Sequence, residues 1–119
     1  MVNLDILLSL LLHSSCELRE TVLELLCFLS DLGMHTRVQL AKHPKFLLRL
    51  VALLGSGAGK CRLKTVRLCA MILNNIAYAP AAKNYFLPFE KDLFIVASSD
   101  EVVSKMISNL IADLDIAIN

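Results

Sequence analysis

The residues best suited to chemistry stand near the middle of the chain. Gly55-Ser56-Gly57-Ala58-Gly59-Lys60-Cys61 has the composition of a loop that cradles phosphate with backbone N–H groups and a lysine. Its spacing argues against that use. Four residues must separate the first glycine from Gly-Lys, which puts Leu54 where a glycine is required, and Cys61 stands where a Ser or Thr would hold magnesium. The preceding segment reads as helix, whereas such loops follow a strand. The run is therefore read as a flexible linker between helical units.

The other reactive side chains form no constellation. His13, His35 and His43 fall in or beside breaks, with no Ser, Cys or carboxylate at a spacing that makes a triad or a metal site. Cys16, Cys27, Cys61 and Cys69 contain no C-x-x-C pair, and three of them sit at helical spacing among Leu, Ile and Val. They read as small hydrophobes in a reducing compartment. The chain is expected to be no enzyme, with no cofactor, no metal and no small-molecule substrate.

Charge is more informative. Eight basic residues, Arg37, Lys42, Lys45, Arg49, Lys60, Arg62, Lys64 and Arg67, fall between Arg37 and Arg67 with no acidic residue among them. The acidic flanks offset them, so the formal net charge is only +1. Such a block suits an acidic protein segment or nucleic-acid phosphate, or is simply a solvated face. Direct DNA contact stays open but is not favoured, because the whole is near neutral and carries no DNA-reading motif.

These residues need a frame to position them, and composition says of what kind. With 119 residues, 56% hydrophobic and 19% charged, the chain is one domain's worth and can bury a core. Three Pro and four Gly favour helix over a turn-rich β fold. The apolar run Ile6 to Leu12 has Asp5 in place of a basic leader and is far too short to span a bilayer. A soluble, intracellular protein with no membrane partner is expected.

Periodicity and breaks predict a helix over Asn3 to Leu12 and a second opened by a Ser14–Glu17 capping box and stopped at Gly33. Its apolar stripe is Leu18, Val22, Leu25, Leu26, Leu29 and Leu32. A short helix over Thr36 to Lys42 ends before His43-Pro44, and Pro44 opens the next, to about Leu54. A long helix runs from Lys60 to about Ala77, a short one covers Ala81 to Phe86, Pro88 opens another to about Ala97, and Asp100 caps the last.

The helices are self-similar. At a shift of 44, Val22, Leu25, Phe28, Leu29 and Leu32 map onto Val66, Cys69, Ile72, Leu73 and Ile76. At 43, Phe46, Leu50, Val51, Leu53 and Leu54 map onto Phe89, Leu93, Phe94, Val96 and Ala97, and at 38 Cys69, Ile72, Leu73 and Ile76 meet Ile107, Leu110, Ile111 and Leu114. A unit of short, medium and long helix repeating at roughly 40 residues is the armadillo pattern. The expected fold is all-α, an armadillo-type right-handed helical stack of about two full repeats after a partial one: 1–33, 34–79 and 80–119. Each unit cannot bury its apolar faces alone, so stacking supplies the core and leaves an extended concave surface.

Asn75-Ile76-Ala77, with Asn84 beyond it, resembles the Asn-Leu-Ala end of an armadillo long helix. In peptide-binding members that Asn grips an extended peptide beside a Trp four residues earlier. The equivalent rows here are Asp31, Asn75 and Asp113, and Cys27, Met71 and Asn109, which departs from peptide capture of that kind. From Leu68 to Leu114, notably Asn84-Tyr85-Phe86 through Glu90, Asp92-Leu93, Ala97-Ser98-Ser99 and Val102 to Leu110, the chain resembles the end of the armadillo-like carboxyl-terminal domain of the large ARID-bearing subunits of SWI/SNF-class chromatin remodellers.

That resemblance implies a nuclear, non-enzymatic scaffold in the core of a multi-subunit complex, in contact with other protein subunits, and a chain that is part of something larger. The residues expected to meet partners are Arg62, Lys64, Arg67, Asn75 and Asp113. The alternative is a generic armadillo adaptor for peptide motifs in transport, adhesion or signalling.

Overall fold

The computed structural model describes residues 4–55, 63–95 and 100–114. Among them run α1 (Leu4–Leu10), α2 (Cys16–Ser30), α3 (Met34–Lys42), α4 (Phe46–Leu54), α5 (Leu63–Ala77), a 3-10 helix (Pro80–Phe89), α6 (Glu90–Ile95) and α7 (Glu101–Leu114). No strand occurs among the described residues. The regular structure of the described residues is all helical, as the composition predicts.

Local chemistry sets the helix ends. The cap of α2 falls one residue later than the Ser14–Glu17 spacing suggests, with Ser15 Oγ accepting from the Leu18 N–H at 3.2 Å. His13 fixes this approach, because its Nδ1 accepts the Ser15 N–H at 3.0 Å. At the far end α2 stops at Ser30, short of Gly33, whose φ of 161° is ordinary extended backbone. One of the carbonyls left over at that end, that of Ser30, accepts from Arg37 Nε at 2.7 Å.

His43 ends α3 with φ −64° and ψ 128°, the extended conformation that a following proline imposes. Pro44 lies just outside α4, which starts at Phe46 behind Lys45. The His43 ring ties the break to α1, its Nε2 lying 2.8 Å from Asp5 Oδ1 while Nδ1 accepts from the Lys45 N–H. The two helices expected around Ala81–Phe86 and from Pro88 are instead one 3-10 run through Pro88, with α-helix only from Glu90. Pro88 has no N–H to donate and its ring crowds the preceding α turn, so α geometry starts beyond it. Asp100 caps α7 as expected, its Oδ2 accepting from the Val103 N–H at 3.1 Å.

The long helices lie side by side in chain order, with α5 between α2 and α7; α4 packs against α5, and α3 against the 3-10 helix. Buried on both flanks, α5 hides Thr65, Cys69, Ala70, Ile72, Leu73, Ile76 and Ala77. Phe46 of α4 and Phe86 of the 3-10 helix are the bulkiest fully buried side chains. Each such burial contributes about 1.5–3 kcal/mol relative to exposure.

One part of the α2 stripe turned out otherwise. Of the expected stripe, Val22 and Leu26 are buried and Leu18 and Leu29 half-buried, but Leu25 and Leu32 are 40% and 57% exposed, with Phe28 between them 64% exposed. The reason lies on the opposite flank, which meets α5 through polar groups: Glu20 and Ser30 are buried there, Glu20 accepting from Thr65 Oγ1 at 3.2 Å and Ser30 from Asn75 Nδ2 at 3.0 Å.

Candidate protein-binding groove

Consecutive asparagines near the end of α5 hold both neighbouring helices. Successive helical residues point about 100° apart, so Asn74 and Asn75 address different partners. Asn74 Nδ2 donates to Met106 O of α7 at 2.8 Å and to Ala70 O of its own helix at 3.0 Å. Asn75 Nδ2 donates to Ser30 Oγ of α2 and lies 4.0 Å from Cys27 Sγ. With the α2 and α5 backbones held this way, a groove of about 350 Å³ opens between them.

Glu24, Cys27, Phe28 and Asp31 line it from α2, and Leu68, Met71 and Asn75 from α5. Both long-helix rows singled out in the sequence, Cys27 with Met71 and Asp31 with Asn75, therefore meet in one groove. Cys27 is a poor nucleophile here. Burial, and secondarily the charge of Asp31, pushes its thiol above the usual range, so it stays protonated at neutral pH. Asn75 is also partly committed, since its amide already donates to Ser30. The groove offers Phe28 and Met71 as exposed apolar contact, with an acidic group at each end.

The five expected contact residues separate. Asn75 lines the groove, and Lys64 stands at its edge, 2.9 Å from Glu24. Arg67 faces away towards α7, where Nε and Nη2 donate to Asp100 at 3.1 and 2.7 Å. This paired geometry raises the Arg67 pKa further and holds the Asp100 carboxyl below the usual carboxylate range, the hydrogen bond between them being the larger cause in each case. Asp113 is exposed on α7 and does not line the groove. Arg62 lies outside the described residues, as do residues 56–61 of the glycine run. The segment before that run is helix α4, which is the wrong lead-in for a phosphate loop.

The described residues of the basic block do not form one face. Besides the Lys64 and Arg67 pairs, Arg37 is only 12% exposed, its Nη2 3.2 Å from Asp31 and its guanidinium 5.3 Å from the Tyr78 ring centre. Lys42 and Lys45 are exposed and Arg49 half-buried on α3, α4 and the turn between. Lys45 and Arg49 help line a second, apolar cleft of about 340 Å³ together with Leu11, Leu48 and Leu53.

Sequence reasoning missed Asn74, Ser30, and the buried pair Glu20 and Thr65. An Asn-Asn step inside a helix was the available signal for the first. The others required knowing which flank of α2 meets α5. Among the described residues no group of three or more His, Cys, Asp or Glu could hold a metal ion, and no helix is long and apolar enough to cross a membrane. No family model, curated protein or solved structure matches the chain.

Proposed function

We propose that this chain is an armadillo-type right-handed helical stack that acts as a non-enzymatic interaction scaffold, a structural segment in the core of a SWI/SNF-class chromatin-remodelling complex in the nucleus. The observation that carries the scaffold reading is the α2–α5 groove. It brings equivalent positions of two repeats onto one surface, and its polar groups are bonded to one another rather than arranged around a reacting atom. Lateral packing of the long helices in chain order supports the armadillo assignment, since a repeat array makes its contacts between neighbours.

The remodeller assignment is supported by the resemblance of Leu68 to Leu114 alone. The partners are other protein subunits, bound by rigid presentation of surface. Capture of an extended peptide by an asparagine ladder is the weaker reading, because the Asn75 amide already serves Ser30. Purification of the tagged chain from nuclei, with identification of the co-purifying proteins, tests the assignment. Remodeller subunits are expected in stoichiometric yield; a single short-motif partner without them would replace it with the generic adaptor.

A further inference from the structure

The repeat register and the burial pattern disagree in one place. At the shift of 44, Leu25, Phe28 and Leu32 of α2 are the counterparts of Cys69, Ile72 and Ile76 of α5. The α5 residues are all fully buried, whereas those of α2 are 40%, 64% and 57% exposed. Cys69, Ile72 and Ile76 follow Thr65 at helical intervals, so they lie on the flank that Thr65 turns towards Glu20 of α2. The equivalent flank of α2 is therefore a surface of the kind that a long helix covers one repeat further on, and here it is bare.

The opposite end of the stack differs. The residues of α5 that face α7 include Arg67, Ala70 and Asn74, and their counterparts at the shift of 38 are Lys105, Ser108 and Ala112. All three are exposed, and none is a large apolar group. One end is thus polar and the other apolar. Beside the apolar stripe runs an acidic ridge, Glu17, Glu24 and Asp31, at intervals of seven residues along α2. Glu24 and Asp31 pair with Lys64 at 2.9 Å and Arg37 at 3.2 Å, yet their side chains remain 55% and 75% exposed.

We propose that the Leu25–Phe28–Leu32 face of α2 docks a long amphipathic helix of another polypeptide, apolar along its contact stripe and basic along the edge that meets Glu17, Glu24 and Asp31. The fit follows from both features. Three apolar side chains at spacings of three and four take the interleaving residues of a facing helix, and the ridge rewards Lys or Arg while repelling acidic partners. Nucleic acid is disfavoured by the same ridge. A second copy of α2 brings only acidic groups to that edge and cannot answer it. This surface adjoins the α2–α5 groove, sharing Phe28, Glu24 and Asp31 with it, while Leu25 and Leu32 lie outside the groove lining; it does not depend on the remodeller assignment.

The test uses two fluorescein-labelled synthetic helices of about 18 residues, long enough to hold helical structure. They share a Leu stripe at helical spacing and differ only in carrying Lys or Glu along its edge. Fluorescence anisotropy with the 119-residue chain is expected to show the Lys helix binding at least about tenfold more tightly than the Glu helix, a difference of about 1.4 kcal/mol. The double variant Leu25→Asp with Leu32→Asp, at exposed positions that do not line the α2–α5 groove, is expected to abolish binding. Leu48→Asp, an equivalent change at an exposed leucine of α4, is expected to leave it unchanged. The double variant Glu24→Lys with Asp31→Lys is expected to reverse the preference, which also shows that the variant is folded. The proposal is overturned if the two helices bind equally or not at all, if the Leu25→Asp and Leu32→Asp double variant still binds, if Leu48→Asp abolishes binding, or if sedimentation shows a dimer that the Leu25 and Leu32 double variant dissociates.

Discussion

Asp100 does two jobs with one carboxylate. It caps α7 through the Val103 N–H and clamps α5 through two bonds from Arg67. Because its folded pKa is depressed, its contribution to stability is complete above the ordinary aspartate range and is lost as pH falls through the lower folded value. Urea unfolding of Asp100→Asn against the parent should show a gap that is constant at neutral pH and narrows only in acid. A gap that stays the same down to strong acid would contradict the pairing. Cys27 behaves oppositely: its raised thiol pKa predicts slow alkylation by iodoacetamide through neutral pH, climbing only above the ordinary thiol range. Fast modification at neutral pH, read by mass spectrometry, would place a thiolate in the groove and reopen a chemical role for it.

At the scale of elements, the long helices are not equivalent despite the self-similarity of their sequences. Enclosed by α2 and α7, α5 buries two flanks, whereas α7 buries only the stripe Val103, Ile107 and Leu110. Leu73→Ala should therefore cost about 2–5 kcal/mol, while Leu48→Ala on the exposed side of α4 should stay within about 0.5 kcal/mol, both measured by chemical denaturation. Equal costs would mean that α5 is not the centre of the core. Helix positions were legible because apolar periodicity, the Asp100 cap and the prolines act locally. The Ser15 cap was displaced by the His13 ring, which propensity does not register. The 3-10 geometry of Pro80–Phe89 was hidden because two prolines bracket a segment that otherwise reads as ordinary helix.

At the scale of the molecule, the sequence register identified the rows that line the groove, because equivalent positions on adjacent long helices must fall on one surface. It did not show that Arg67 and Arg37 are used internally, since their carboxylate partners come from outside the basic block. A charge block along the chain is one-dimensional, and folding distributed its described members among three helices and the turn between α3 and α4. What remains for partners is an apolar groove with acidic ends and an apolar end face. The account rests on that groove holding other subunits. Its most direct test is quantitative mass spectrometry of the proteins co-purifying with the parent chain and with Met71→Glu, which adds charge to the groove at an exposed position outside the core. Loss of most remodeller subunits from a variant with an unchanged melting temperature is the predicted result; full retention, or no such subunits with either chain, would contradict it.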